Sequence, residues 1–301
     1  MTSQFAFGGR GDAGTGLMGM GVPLLGGEAR EPVEEAVSPA GDAGGFCIWR
    51  GAARAVGIAR AEPGTDLEDA TARLYAGLLV AARGLDLYRI WNLVPGINAR
   101  TPAGLETYQA FCKARSVAFE SALGRDFQRS LPAASAVGTA ESGLTVAFLA
   151  GKGPVRRVEN PAQVPAYEYP PQHGPRPPSF ARATVVESGQ GVDAFVSGTS
   201  SVVGHETVAP CDTARQLDCT FENLRLISGA CGLGGSFGGG AACRRHFKVY
   251  LRNASDLDLA AREMGRRILA PGDRVTYLRA DICRSALNVE IEVTVRGSAR
   301  A

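Results

Sequence analysis

The sequence contains one order of predicted elements twice, and this internal repeat constrains the fold more than any other feature. Apolar residues recur at helical spacing over residues 66–83, and the order then continues as strand, helix, strand, strand up to residue 149. A second helical segment, residues 212–229, begins about 145 residues later and is followed by the same order. Repetition at this distance indicates two tandem domains of similar topology. We therefore predict an α/β (α+β) fold with mixed sheets and helices packed on one face.

Hydrophobic periodicity places the individual elements of both copies. The predicted helices cover residues 66–83, 101–123, 212–229 and 254–269. The predicted strands cover residues 46–49, 85–94, 135–137, 143–149, 245–251, 274–283 and 287–295.

Composition divides the chain into four segments. Residues 1–45 are rich in glycine with few periodic apolar positions, so we expect an irregular leader. We expect residues 46–153 to form the first domain and residues 181–301 to form the second, and we expect the second to carry the functional site. Residues 154–180 are rich in proline, which fixes φ and lacks a donor, so we expect an extended connector rather than a sheet strand.

The charge balance excludes several classes of protein. The 32 lysines and arginines nearly cancel the 30 acidic residues, which argues against binding to nucleic acid or to anionic membranes. No apolar run reaches the length of a membrane helix, and the first residues do not resemble a secretory signal. Seven cysteines without a CxxC pair, and three histidines without ligand-like spacing, predict free thiols and no metal site. We expect a cytoplasmic protein that acts on a small molecule.

Four sequence blocks carry a resemblance to known families. The ending of the second copy, residues 288–292 (NVEIE), makes the repeat unit resemble the RidA-like (YjgF-like) fold. The other three blocks together resemble the chorismatase family: residues 170–183 (PPQHGPRPPSFARA), 195–206 (FVSGTSSVVGHE) and 277–284 (YLRADICR). Residues 91–111 add weaker support. One departure is His173, where the family pattern has tyrosine.

The resemblance implies an enzyme that converts chorismate to 3-hydroxybenzoate and pyruvate without a cofactor, for secondary-metabolite biosynthesis. Two enzymatic alternatives stay open: hydrolysis of chorismate to pyruvate and a dihydroxycyclohexadiene carboxylate, and deamination of imines as in RidA-like proteins. A small-molecule binding protein without turnover is a third alternative. Because the duplication would replace a subunit contact of a RidA-like trimer, we expect a monomer.

Glu290 and Cys283 are the catalytic candidates. Alternation places Glu290 in a strand between apolar residues, on one face with Asn288 and Glu292. Such a face is either solvated or, if buried, costly unless it is functional. The resemblance assigns the catalytic acid to Glu290. Cys283 by itself reads as a small buried hydrophobic residue, whereas the resemblance implies that it steers the product toward 3-hydroxybenzoate.

A substrate with two carboxylates calls for arginines, which bind planar anions through paired donors. Arg279 is a candidate because a regular strand would place it on the same face as Cys283. Arg182 follows the proline-rich segment and is the second candidate, while Arg176 and Arg284 are weaker ones. A short segment of the second domain is expected to supply hydrogen-bond donors and close backbone approach: Ser197, Gly198, Thr199 and Gly204.

Overall fold

The computed structural model describes residues 1–8, 11–188, 191–238 and 243–298. The chain begins with five short strands: β1 (Ser3–Phe7), β2 (Leu17–Met20), β3 (Leu24–Gly27), β4 (Arg30–Glu34) and β5 (Ser38–Ala43). The first copy of the repeat follows: β6 (Phe46–Arg50), β7 (Arg54–Arg60), α1 (Leu67–Ala81), β8 (Asp86–Pro95), α2 (Thr107–Leu123), β9 (Ala133–Thr139) and β10 (Thr145–Gly151).

The connector starts with β11 (Val155–Val158) and leads into the second copy. That copy comprises β12 (Ala183–Ser188), β13 (Gly191–Thr199), a small hairpin of β14 (Val202–Val203) and β15 (Glu206–Thr207), α3 (Thr213–Ala230), β16 (Arg244–Leu251), α4 (Leu257–Arg267), β17 (Arg274–Arg279) and β18 (Val289–Ser298). No helix of the described ranges has the length and apolarity to cross a bilayer.

The two main sheets share one strand order, which confirms the predicted fold class and the duplication. The first sheet runs β5-β6-β7-β10-β8-β9, and the second runs β11-β12-β13-β18-β16-β17-β3. In both sheets the last strand of the copy, β10 or β18, lies between an antiparallel hairpin and a parallel pair. The parallel pairs are β8 with β9 and β16 with β17. Helices cover one face of each sheet, and the opposite faces share a third core.

Local signals set the helix starts. The Asp66 side chain accepts a hydrogen bond from the Asp69 amide and caps α1, and Asp212 caps α3 in the same way. The second helix starts at Thr107, later than the predicted residue 101, because residues 101–106 form a turn closed by a bond from Thr101 N–H to the Leu105 carbonyl.

The prediction of an irregular leader was wrong. β1, β2 and β4 form a three-stranded sheet, while β3 pairs with β17 and β5 pairs with β6, so the leader extends both main sheets. Phe5, Met18, Met20 and Val33 are buried in the core shared by the two copies. These strands are short, and their partners are remote in sequence. The leader is therefore ordered by tertiary pairing that local periodicity does not reveal.

The connector also departs from its predicted form at its start. Residues Val155–Val158 contain no proline, so their amides can form the ladder with β12 that the sheet requires. Residues 159–182 then cross between the copies through two 3₁₀ turns, Ala166–Glu168 and Pro171–His173.

Buried charges join the leader to both copies. Lys248 on β16 is 2% exposed, and its Nζ lies 2.9 Å from Glu31 on β4 and 2.9 Å from Glu292 on β18. Arg89 on β8 lies 3.0 Å from the other oxygen of Glu292. Further donors to the Glu292 carboxylate are the Trp91 indole at 3.1 Å, the Tyr250 hydroxyl at 2.9 Å and the Ser135 hydroxyl. Each part of the chain thus supplies a charge that the others neutralise.

Replacing Lys248 by methionine should destabilise the protein by about 3–5 kcal/mol, because it leaves Glu31 without a buried counter-charge and Glu292 with Arg89 alone. The matched control is Lys113→Met, which breaks an ion pair with Glu68 in which Lys113 is 43% exposed. That loss should stay below about 1 kcal/mol. Urea unfolding of both variants measures the difference, and equal losses would contradict a structural role for the buried network.

Candidate active site

A cavity of about 450 Å³ opens between the two copies. The first copy contributes residues of α2 and β9, and the connector contributes the segment around its second 3₁₀ turn. The second copy contributes β13, β18 and the segment that precedes β18. Polar side chains that line the cavity are Glu106, Tyr108, Gln109, Arg115, Ser135, Gln163, Tyr169, Gln172, His173, Arg182, Ser200, Glu206, Thr207, Cys283, Arg284, Ser285 and Glu290.

Glu290 lies in this cavity as a buried carboxyl group. It belongs to β18, pairs in register with Tyr250 on β16 and is 4% exposed. Its Oε1 has no hydrogen-bond partner in the part of the chain that the structure describes. Burial, and next the negative charge of Glu292, raise the pKa of Glu290 to about 8. The group is therefore protonated at neutral pH and can donate a proton into the cavity.

Gly198 makes room for this carboxyl group. The β13–β18 ladder shifts register between Val196 and Thr199, and the irregularity brings the Gly198 backbone against the Glu290 side chain. A Cβ atom at Gly198 would overlap Oε1 and Cδ of Glu290. Any larger residue would displace the carboxyl, so the glycine is needed for its position.

Glu292 lies on the same face of β18 as Glu290, but its pKa is shifted in the opposite direction. Burial alone would raise the pKa of Glu292, but Lys248 and then Arg89 outweigh it and lower the pKa to about 2. The strand therefore holds an ionised carboxylate two residues from a protonated one. Paired acids with separated pKa values are typical of sites that perform proton transfer.

Cys283 lines the same cavity and is partly buried. Burial, followed by the nearby Glu290, raises the pKa of its thiol to about 12. The group is a neutral thiol at physiological pH, and a thiolate nucleophile is not expected here. Its position fits a small, weakly polar wall of the cavity.

Three arginines face the cavity. Arg182 is buried, and its Nη2 donates to the Val164 carbonyl at 3.2 Å and the Tyr169 hydroxyl at 2.7 Å. Arg284 donates to the His205 carbonyl at 2.9 Å. Arg115, on α2, is buried, and its Nε has no hydrogen-bond partner among the described residues.

The sequence reasoning missed Arg115. The signal was present, because Arg115 follows Tyr108 and Phe111 at intervals of seven and four residues and shares their helical face. A cationic residue on an otherwise apolar stripe is costly to bury without an anionic partner.

The structure does not bring every predicted residue to the cavity. Strand β17 ends at Arg279, whose side chain is 44% exposed and pairs with Asp281, because the chain leaves the sheet before Cys283. Arg176 pairs with Glu120 at the surface. Neither arginine lines the cavity, so we assign no substrate contact to either.

The segment that was predicted to supply hydrogen-bond donors, Ser197 to Gly204, also lies only partly at the cavity. Of the four predicted residues, Gly198 alone lines the cavity. The Ser197 hydroxyl donates to the Ala181 carbonyl and accepts from the Ala134 amide, and Thr199 donates to the Ser197 carbonyl. These bonds fix the bulge of β13 beside Gly198. Gly204 has a φ of 58° in the turn between β14 and β15.

At the mouth of the cavity, His173, His205 and Glu206 form the one cluster of potential metal ligands among the described residues. The prediction of no metal site considered only ligands that are close in sequence. It could not take account of this cluster, because His173 lies in a different segment of the chain from His205 and Glu206. Burial, followed by the charge of Arg284, lowers the pKa of His173.

Comparison with known proteins gives consistent matches. Residues 34–150 match the model of the FkbO/Hyg5-like chorismatase N-terminal domain. A 3-hydroxybenzoate synthase of Streptomyces hygroscopicus is 41% identical over 69% of this chain, and the match spans 63% of that relative. A chorismatase of Streptomyces hygroscopicus is 38% identical over 88% of this chain and 76% of the relative.

A crystal structure of a chorismatase superposes with a TM-score of 0.81 at 31% identity, covering 97% of this chain and 91% of that one. The likeness extends over the leader as well as over both copies. Sequence and structure therefore agree, and this chain belongs to the chorismatase family.

Proposed function

We propose that the protein converts chorismate to 3-hydroxybenzoate and pyruvate, with Glu290 as the general acid. The observation that carries this proposal is a buried carboxyl group, one oxygen of which has no hydrogen-bond partner among the described residues, in a cavity lined by three arginines. Chorismate has the complementary chemistry: two carboxylates, a ring hydroxyl and an enol ether whose methylene carbon must be protonated.

The charges around the cavity support a dianionic substrate. With Glu290 protonated, the guanidinium groups of Arg115, Arg182 and Arg284 outnumber the two other carboxyl groups of the lining, which are those of Glu106 and Glu206. The Glu292 carboxylate is neutralised by Lys248 and Arg89. The free Nε atoms of Arg115 and Arg182 are donors that a carboxylate can accept from. Binding would satisfy the buried donors that the protein itself leaves unpaired.

The chemical step starts with proton transfer from Glu290 to the methylene carbon. The carbon becomes a methyl group, and the neighbouring carbon becomes an oxocarbenium ion, which weakens the bond between the ether oxygen and the ring. The neighbouring ring hydroxyl attacks the ring carbon of this bond as the bond breaks, so that pyruvate leaves with the ether oxygen, the hydroxyl proton returns to Glu290 and an epoxide spans the two ring carbons. Opening of the epoxide at the former hydroxyl carbon leaves the oxygen meta to the carboxylate. Transfer of the hydrogen on the carbon that keeps the oxygen to that oxygen, as a proton, then makes the ring aromatic.

The two product branches differ in their use of water. 3-Hydroxybenzoate and pyruvate together contain the atoms of chorismate, so this branch consumes no water. The hydrolytic branch adds one water to the oxocarbenium carbon and leaves a dihydroxycyclohexadiene carboxylate. Cys283, as a neutral and weakly hydrogen-bonding wall of the cavity, favours the branch without water.

Both copies of the repeat contribute to the cavity. Because the duplication would replace a subunit contact, we keep a monomer as part of the proposal, and the chemistry requires no cofactor. We keep a cytoplasmic location as part of the proposal, since the predicted free thiols suit a reducing compartment.

Replacing Glu290 by glutamine should reduce pyruvate release from chorismate by about 10²–10⁴-fold, because the amide is similar in shape but cannot supply the proton. Glu222→Gln, at an exposed position of α3, is the matched control and should retain full activity. Pyruvate is measured by coupled reduction with lactate dehydrogenase. Folded wild-type protein that releases no pyruvate would refute the proposed function.

Replacing Arg115 by leucine should raise KM for chorismate by roughly 10–100-fold, because one charge-assisted hydrogen bond to a carboxylate is lost. Arg279→Leu provides the control, since Arg279 is exposed outside the cavity, and its KM should be unchanged. Steady-state kinetics of both variants decide the assignment. A rise in KM for Arg279→Leu as large as that for Arg115→Leu would contradict the assignment of Arg115 as the substrate-binding residue.

Replacing Cys283 by alanine should shift the product from 3-hydroxybenzoate toward the diene diol, because the smaller side chain leaves space for a water beside Glu290. Chromatography of the products measures the ratio, and incorporation of ¹⁸O from labelled water into pyruvate reports the hydrolytic branch. The control is Cys219→Ala, a partly buried thiol on α3. An unchanged ratio in Cys283→Ala would remove the steering role.

A further inference from the structure

Three side chains with metal-binding atoms meet at the mouth of the cavity. His173 ends the 3₁₀ turn of the connector, whereas His205 and Glu206 lie at the β14–β15 turn. Nε2 of His173 is 3.0 Å from Nδ1 of His205, and the same Nδ1 is 3.0 Å from Oε1 of Glu206. The donor atoms of all three residues lie within 4.8 Å of one another.

Hydrogen bonding alone satisfies this arrangement poorly. Nδ1 of His205 has a single lone pair or a single proton, yet two neighbours lie at 3.0 Å from it. If Nδ1 carries the proton, it must be shared between two acceptors. If Nδ1 is unprotonated, its lone pair faces a carboxylate oxygen. A cation between the three atoms would accept a lone pair from each of them.

The distances suit a small tetrahedral ion. Zinc bound at about 2.0–2.1 Å separates its ligand atoms by about 3.3 Å. The two 3.0 Å contacts need a slight spreading, and the third separation, between His173 and Glu206, is within 4.8 Å and would have to match this value. Two histidines and one glutamate form a ligand set that leaves a fourth position open. The His205 and Glu206 side chains are 30% and 65% exposed, so an ion and its water can enter from solvent.

The surrounding groups leave these atoms available. Arg284, whose charge acts on His173, directs its Nη1 to the His205 carbonyl at 2.9 Å and the Thr207 hydroxyl at 3.1 Å. Gln172 is the competing partner, because its amide donates to Oε1 of Glu206 at 2.9 Å. A metal would replace this one exposed hydrogen bond.

We propose that His173, His205 and Glu206 bind one divalent transition-metal ion of the zinc type at the cavity mouth. The ion would link the connector to the β14–β15 turn, and both segments border the cavity. Its open position would take a water or a carboxylate. This site is separate from the acid chemistry of Glu290, which needs no metal.

Calorimetric titration of the untagged, chelator-treated full-length protein with ZnCl₂ tests the site in the absence of chorismate. We expect one equivalent to bind, with a rise in Tm, and His173→Phe and His205→Phe to weaken binding roughly tenfold or more. Gln172→Ala is the matched control from the same turn and should bind zinc at least as tightly. His246, the third histidine, is buried and stays in every variant.

Cobalt(II) spectra identify the ligands independently. Tetrahedral nitrogen and oxygen ligation gives visible bands without the near-ultraviolet charge transfer of a thiolate, so binding at the exposed Cys211 would be recognised. Zinc binding that persists in both histidine variants, a thiolate spectrum, or no binding at micromolar zinc would each overturn the proposal. Melting curves without metal show whether the variants are folded. Since chorismate is absent, the result is independent of the proposed function.

Discussion

The ion pairs of Lys248 with Glu292 and Glu31 are the constraint on which the rest of the structure depends. An unpaired charge in this core would cost several kcal/mol. The charges of Lys248, Glu292 and Glu31 are therefore neutralised only when both copies and the leader are in place. The leader is held by this requirement as well as by strand pairing. The same group keeps Glu292 ionised beside the cavity, where its charge helps to keep Glu290 protonated.

Only the second copy of the repeat carries an acid at the position of Glu290. By topology β10 is the counterpart of β18, but β10 reads TVAFLAG and is buried throughout, without a carboxylate. The first copy instead contributes arginine and aromatic side chains from α2, which line the same cavity as Glu290. The two copies have thus diverged: the second supplies the acid together with Arg182 and Arg284, and the first supplies Arg115. The bulge at Gly198 is the local irregularity that lets the acid face the cavity.

Much of the architecture could be predicted from periodicity. The four helices and the strands β6, β8, β9, β10, β16, β17 and β18 overlap their predicted positions, because each has an apolar face that the fold buries. The hairpin strands β7, β12 and β13 were not predicted, although they lie inside the two main sheets. The leader was missed because its strands are short and their partners are distant. Arg279 was expected beside Cys283 on the assumption of a regular strand, but the strand ends at Arg279 and the side chain points to solvent.

The sequence by itself determined the repeat, the α/β class, the family resemblance and the position of Glu290 within a strand, since these depend on local spacing and on residue identity. The tertiary structure alone decided that Glu290 is buried with one oxygen facing the cavity, that Arg115 and Arg182 line the same cavity, and that His173 meets His205. Burial, charge pairing and pKa depend on distances between segments that lie far apart in the chain. Those distances are fixed only when the leader, the connector and both copies pack together.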